Sequence, residues 1–134
     1  MPLILRTIVL RLFLLLWALL IAWLSLIPAP PSPHLTLLGW DKFQHAAAYG
    51  VLCILVGWYV RESRRSCQGV WLLAIIITVL FGALLEVAQG TLTTARSAEI
   101  SDLVADGAGA LVAALCARFY QQWRRKESPC SGKK

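Results

Sequence analysis

Charged residues are scarce in this sequence. Only 15% of its 134 residues are charged, whereas 58% are apolar, and only seven residues are acidic. Soluble domains carry about 25% charged and roughly 45–50% apolar residues, and the mean hydropathy here is +0.67. This composition excludes an ordinary soluble domain and indicates an integral membrane protein.

Histidine and cysteine are also scarce. The chain has two histidines, His34 and His45, and no C-x-x-C pair, so no zinc site is predicted. The four cysteines are Cys53, Cys67, Cys116 and Cys130. Two lie in apolar runs and two on the side that we predict below to be cytoplasmic, so we expect four free thiols. Because a phosphate-binding glycine loop and a serine nucleophile elbow are lacking as well, no metal or cofactor is expected.

Four long apolar runs dominate the rest of the chain. They cover residues 12–27, 43–60, 69–89 and 103–120, and each approaches the roughly 20 residues that a helix needs to cross about 30 Å of hydrocarbon. The segments between them are too short to form a separate soluble domain. The sequence therefore predicts an all-α fold, an integral membrane antiparallel four-helix bundle, as a single domain over residues 1–134 with a basic tail over 121–134.

The first run differs from a cleaved signal peptide. Its apolar stretch LFLLLWALLIAWLSLI exceeds the roughly 7–15 residues of a signal peptide, and the following PAPPSP lacks an A-x-A-like cleavage site. We therefore expect a retained helix, which ends at the prolines because they lack a backbone donor.

Basic residues predict the orientation of the chain. Of 13 basic residues, only Lys42 and Arg96 lie at one set of alternating ends of the runs, and all the others lie at the opposite set. The positive-inside rule then places both termini in the cytoplasm. The net charge of +6 is a topology signal that also attracts anionic membrane lipids. With no nucleic-acid motif in the chain, we expect no nucleic-acid partner.

Acidic residues are distributed in the opposite way. Five of the seven lie at the outer ends of the runs: Asp41, Glu86, Glu99, Asp102 and Asp106. Spacings of three or four residues put the polar side chains of each helix on one face. These faces carry Asp41 and His45 on the second helix, Glu86 and Gln89 on the third, and Asp102 and Asp106 on the fourth. Charges in hydrocarbon cost about 2.5–3.5 kcal/mol and so usually pair inside a bundle, and the predicted partners are Lys42, His45 and Arg96.

Simpler interpretations exist for several of these residues. They are helix caps at Asp41 and at Asp102 or Ser101, a solvated loop pair of Arg96 and Glu99, and an ordinary core histidine at His45. Glu86 and Asp106 fit these alternatives poorly, because each lies about a turn inside its run, beyond a cap position. An unpartnered carboxylate there would be protonated or destabilising, which favours a shared polar site.

Small residues predict how the helices pack. The fourth helix carries them at four-residue spacing, at Ala105, Gly109, Ala113 and Ala117. Such a ridge lets another helix approach closely; the simpler interpretation is a generic alanine-rich span. We expect helices 2, 3 and 4 to surround the polar cluster and helix 1 to pack alongside.

Three motifs stand together at the predicted outer end. They are DKFQHAAAY at residues 41–49, EVAQ at 86–89 and RSAEISDLVADGAG from residue 96. In this combination, which extends over nearly the whole chain, the sequence resembles the VanZ-like family of small bacterial membrane proteins. It departs from the family at Asp106, where asparagine is common. The resemblance implies a protein of the bacterial cell envelope, in the cytoplasmic (inner) membrane. The family's namesake is associated with low-level resistance to the glycopeptide teicoplanin, and no reaction is firmly attached to the family.

Three classes of function fit these residues, and whether the protein is an enzyme stays open. In the first, the cluster binds or processes an envelope lipid or a lipid-linked glycan precursor, with Lys42 and Arg96 holding an anionic headgroup. The candidate catalytic residues are then His45, Glu86, Asp102 and Asp106, and the candidate substrate-binding residues are Asp41, Lys42, His45, Glu86, Gln89, Arg96 and Asp102. In the second, the protein is a non-catalytic accessory or scaffold whose polar cluster is structural and whose surfaces serve a membrane protein partner. In the third, the acids relay protons in a transporter, which four short helices would form only as an oligomer.

Overall fold

A computed structural model of the chain describes residues 3–27, 38–63, 69–92 and 99–127. These residues form four helices and no strand: α1 over Leu3–Leu26, α2 over Leu38–Ser63, α3 over Val70–Leu92 and α4 over Ile100–Glu127. All four helices are long and apolar enough to cross a membrane. The predicted all-α fold with four spans is confirmed.

The helices are longer than the apolar runs from which they were predicted. α1 begins at Leu3, before residue 12, and α4 continues to Glu127, past residue 120. A helix keeps its internal hydrogen bonds as it leaves the hydrocarbon, and long basic side chains near its ends reach the interface. The first part of the predicted basic tail is therefore helical, while residues 128–134 lie outside the described residues.

Contacts between side chains fix the relative directions of the helices. Arg6 Nη2 at the start of α1 lies 3.7 Å from Glu62 Oε2 at the end of α2, so α1 and α2 are antiparallel. Trp71 Nε1 at the start of α3 donates to Gln121 Oε1 near the end of α4 at 3.3 Å. The bundle thus alternates in direction, and α2 and α4 run parallel.

α2 has the most extensive contacts in the bundle and touches the three other helices. α3 and α4 contact each other, whereas α1 contacts α2 and α3 but not α4 within the described residues. The indole N–H of Trp17 anchors α1 by donating to the carbonyl of Ala48 on α2 at 3.0 Å. Helices α2, α3 and α4 therefore pack around one another with α1 alongside, as the sequence predicted.

A seam of small residues joins α2 to α4. Gly109 lies so close to the backbone of Ala46 that a side chain at position 109 would overlap it. One turn further along α2, a side chain at Gly50 would meet the Gly109 carbonyl oxygen at 3.3 Å and Ala113 Cβ at 3.6 Å. Gly109 and Ala113 of the predicted ridge thus pack on α2, as small-residue seams do in membranes. The matching pair on α2, Ala46 and Gly50, was not predicted.

α3 presents one buried stripe to its neighbours. Its buried residues are Val70, Ala74, Thr78, Gly82, Glu86 and Gln89. They recur every three or four residues, so they lie on one face of the helix, and that face becomes polar toward the end of α3. Large apolar side chains elsewhere, many of them on α1, are exposed, as is required of a surface that faces lipid.

Two of the four cysteines lie among the described residues. Cys53 is buried and free, and Cys116 is exposed and free. Cys67 and Cys130 lie outside the described residues.

Candidate functional site

Polar side chains meet at the end of the bundle where α2 and α4 begin and α3 ends, which we call the acidic end. Lys42 on α2 donates from Nζ to Asp102 Oδ1 on α4 at 2.5 Å. The same ammonium group lies 3.5 Å from Glu99 Oε2. Two carboxylates therefore share one lysine, as the predicted pairing of acids with Lys42 requires.

His45 lies one turn further into the bundle, between two aspartates of α4. Its Nδ1 is 3.0 Å from Asp106 Oδ1, and its Nε2 is 3.9 Å from Asp102 Oδ2. The two aspartates are one helical turn apart, so they lie on the same face of α4 and reach opposite edges of one imidazole ring. The ring is stacked with Tyr49 at 6.3 Å between centroids, which restricts its orientation.

Exposure falls steadily along this line of side chains. The Glu99 side chain is 52% exposed and Lys42 29%, His45 and Asp102 are 15% and 14% exposed, and Asp106 is 1% exposed. The contacts therefore connect the surface of the acidic end to a carboxylate inside the bundle. The second oxygen of that carboxylate, Asp106 Oδ2, is buried without a hydrogen-bond partner among the described residues.

Glu86 on α3 joins this region by a different kind of contact. Its Oε2 accepts the backbone N–H of Glu99 at 2.9 Å, just before α4 begins. Among the described residues the partner is thus a backbone amide rather than the basic side chain that the sequence suggested. A carboxylate that accepts a free amide at a helix N-terminus stabilises the start of that helix.

The start of α4 also corrects one interpretation of the sequence. The carbonyl of Glu99 accepts from the backbone N–H groups of Asp102 at 3.0 Å and Leu103 at 3.5 Å, so Glu99 occupies the cap position. Asp102 lies in the first turn instead and bonds Lys42, while Ser101 Oγ donates to Glu99 Oε2 at 3.1 Å. The prediction of a cap at Asp102 or Ser101 is therefore wrong, because α4 begins earlier than its apolar run.

Gln89 on α3 bonds the backbone of α1. Its Nε2 donates to the carbonyl of Ser25 at 2.8 Å, in a buried position. This bond attaches the end of α3 to the end of α1. Two of the predicted substrate-binding residues, Glu86 and Gln89, thus form bonds to backbone groups that join helices.

Two predicted site residues lie wholly or partly outside the described residues. Arg96 lies outside the described residues, as does its predicted pairing with Glu99. The backbone of Asp41 belongs to α2, but its side chain lies outside what the structure describes. Since α2 begins at Leu38, Asp41 occupies the first turn of the helix rather than the cap position predicted for it.

Three participants were missed in the sequence. Glu99 is counted with the outer acids but is absent from the predicted site residues, with a solvated loop pair as its simpler interpretation, yet it caps α4 and contacts Lys42. Ser25 accepts the Gln89 bond through its backbone carbonyl, and the identity of a side chain does not indicate such a contact. Gly82 lies against Asp106 Oδ2, and its position one turn before Glu86 on the same stripe of α3 was the available sign.

The arrangement is suited to moving protons. A histidine between two carboxylates can take up a proton at one ring nitrogen while a hydrogen bond at the other holds the ring in place. The described residues contain no group of three side chains suited to hold a metal ion. Carboxylates outnumber bases here, so the acidic end also attracts cations.

Taken together, the four spans and the buried polar group define a multi-pass membrane protein with a histidine-carboxylate cluster at one end of its bundle. A family model described as VanZ/LLP1 matches residues 9–121. The match covers most of the chain, which therefore belongs to the VanZ-like family. No curated protein and no solved structure matches the chain.

Proposed function

We propose that this protein lies in the bacterial inner membrane with both termini in the cytoplasm, and that its acidic end faces outward as a site for an envelope lipid or a lipid-linked glycan precursor. The orientation is supported by the basic residues of the other end, among them Arg6, Arg11 and Arg61, through the positive-inside rule. On this topology the site opens to the outer surface of the membrane, where such substrates are found.

His45 is the proton carrier of this site. The observation that carries the proposal is its placement between Asp106, at 3.0 Å from Nδ1, and Asp102, at 3.9 Å from Nε2. Asp106 holds the ring from inside the bundle, which leaves Nε2 directed to the more exposed side. A positioned imidazole of this kind acts as a general acid or base and contributes about 10²–10⁴-fold to a rate.

Lys42 and Arg96 supply the positive charge for an anionic headgroup. Lys42 is already held by Asp102 and Glu99, so a phosphate or carboxylate ligand would replace one of these acids. The more exposed partner is Glu99, and exchange there costs least because its carboxylate returns to water. Binding of substrate and opening of the Lys42–Glu99 pair are thus a single step in this proposal.

The test compares a variant at His45 with a control variant at Gln44, the preceding residue, which lies on the exposed face of α2. The proposal predicts that the wild-type protein gives its host tolerance to a glycopeptide such as teicoplanin. A host expressing His45→Gln should then lack that tolerance, with the variant still abundant in the membrane. Gln44→Ala should keep that tolerance, because Gln44 is exposed. The measurement is growth under challenge, normalised to the amount of folded protein.

Two outcomes would count against the proposal. A fully active His45→Gln protein would remove the proton carrier. A host that gains no tolerance from the wild-type protein would remove the link to glycopeptides and leave binding of an envelope lipid to be measured directly.

A second candidate function is that of a non-catalytic accessory protein. It is favoured by Glu86 and Gln89, whose bonds to the Glu99 amide and the Ser25 carbonyl join helices. If the His45 group serves the fold as well, His45→Gln should lower the amount of folded protein and leave activity per molecule unchanged. The normalised growth measurement separates the two candidates.

A further inference from the structure

Gly82 lies where a side chain would collide with the buried part of the histidine-carboxylate cluster. A Cβ atom at this position would lie 2.8 Å from Asp106 Oδ2 and 3.0 Å from Tyr49 Cε1. Contacts of a Cβ atom shorter than 3.0 Å are essentially never seen. The missing side chain of Gly82 thus leaves a recess in α3, and one oxygen of Asp106 occupies it.

Neither neighbour of this recess can move without disturbing His45. Asp106 is bound through its other oxygen, Oδ1, to His45 Nδ1 at 3.0 Å. Tyr49 is 3% exposed and is held between the His45 ring, at 6.3 Å, and the Phe81 ring, at 6.4 Å. A methyl group at position 82 would therefore displace the aspartate, the tyrosine or both, and either movement reaches the imidazole.

We infer that Gly82 is a positioning residue of the proposed proton-transfer site, because its recess receives Asp106 Oδ2 and so turns Oδ1 toward His45. The inference rests on the proposed function of His45. We assign Oδ1 as the acceptor in this 3.0 Å contact. The proton-bearing nitrogen of neutral His45 is then Nδ1, and Nε2 faces the more exposed side. Gly82 acts on that tautomer through Asp106.

The other glycines that meet close neighbours do so for packing. Gly109 lies against the backbone of Ala46, and Gly57 lies against the ring of Trp71. Both let a neighbouring helix or ring approach. Gly82 differs because its nearest atom is a carboxylate oxygen that has no hydrogen-bond partner among the described residues.

The first experiment compares Gly82→Ala with Gly107→Ala by nitrogen NMR of the His45 ring, in the full-length protein with His34→Gln so that one histidine remains. Gly107 is the matched control, because a Cβ atom there meets only Val79 Cγ2, at 3.9 Å. The parent protein and Gly107→Ala should show one neutral tautomer, protonated at Nδ1. Gly82→Ala should show a mixture of tautomers. A folded Gly82→Ala protein with an unchanged His45 spectrum would overturn the inference.

The second experiment covers the case in which Gly82→Ala folds poorly. Its effect on the melting temperature is measured alone and in an Asp106→Ala background, where the colliding oxygen is absent. At least half of the loss should disappear in that background. An equal loss in both backgrounds, or failure to fold in both, would assign Gly82 to packing against Tyr49 and overturn the inference.

These outcomes are separate from those of the proposed function. An unchanged tautomer in Gly82→Ala combined with an inactive His45→Gln protein would contradict the role of Gly82 and support that of His45. A changed tautomer combined with an active His45→Gln protein would support the effect of Gly82 on the His45 ring and contradict the role of His45 as proton carrier.

Discussion

At the scale of single residues, the acidic end is stabilised by two kinds of bond, one between side chains and one between a side chain and the backbone. Lys42 bonds a side chain, Asp102, whereas the Glu86 carboxylate accepts a backbone amide from Glu99. Glu86 is buried, and its bond fixes the point at which α4 begins. Loss of the acceptor would leave the partly buried Glu99 amide without this bond, which is costly.

Replacing Glu86 by alanine should therefore destabilise the protein. The expected loss in the free energy of unfolding is about 0.5–2 kcal/mol, the usual cost of losing a side-chain acceptor at a helix N-terminus, measured by denaturation in mixed micelles. Glu86→Gln is the matched control, because its amide oxygen can still accept the Glu99 N–H, and it should retain more than half of that stability. A Glu86→Ala protein as stable as the wild type would contradict this role.

At the scale of helices, the seam between α2 and α4 places the cluster. These two helices run parallel, and Gly109 meets the backbone of Ala46, the residue that follows His45. The close contact fixes how far α2 and α4 are shifted along each other, and a shift of one turn moves a side chain by about 5.4 Å. Such a shift would separate His45 from Asp106, which are 3.0 Å apart.

Substitution at the seam should accordingly be costly. Gly109→Ala is expected to lower the free energy of unfolding by about 1–3 kcal/mol, because a methyl group has no space against Ala46. Gly107→Ala, two residues away, should leave it unchanged or raise it by up to about 1 kcal/mol, because alanine favours a helix over glycine and its nearest neighbour would be 3.9 Å away. Melting of both variants in the same detergent makes the comparison. Equal stability of the two variants would show that α2 and α4 can move apart at the seam without loss of stability.

At the scale of the whole molecule, the two ends of the bundle have opposite character. The acidic end carries Lys42 among several carboxylates, while at the other end Arg6 pairs with Glu62 and the Arg11 guanidinium lies 5.6 Å from the Tyr59 ring centroid. An even number of spans brings both ends of the chain to the same side of a membrane. The charge difference between the ends then decides which side that is.

Reporter fusions test this orientation. Fusions after Lys134 and within residues 61–68 should report the cytoplasm, and fusions near Pro31 or Thr93 should report the outside. The reason is the preference of arginine and lysine for the cytoplasmic side. The paired fusions serve as controls for one another, since adjacent connections must give opposite signals. An outside signal from the C-terminus would contradict the four-span orientation.

The sequence by itself determined the four spans and the family. Hydropathy is a property of each residue and its neighbours in the chain, so the need to satisfy backbone groups in lipid converts apolar runs into helices. The same local information placed Lys42, His45, Asp102 and Asp106 at one end of the bundle, and the structure brings these four together.

Only the tertiary structure decided which atoms meet. The bond from Gln89 to the Ser25 carbonyl, the bond from the Glu99 amide to Glu86 and the recess at Gly82 depend on the rotation of each helix about its axis and on its position along its neighbours. Backbone amides and carbonyls are the same in every residue. The role of a glycine depends on which neighbouring atom occupies the space that a side chain would fill. Side-chain identity therefore could not predict these contacts, because they arise from the close packing of α1, α3 and α4 around α2.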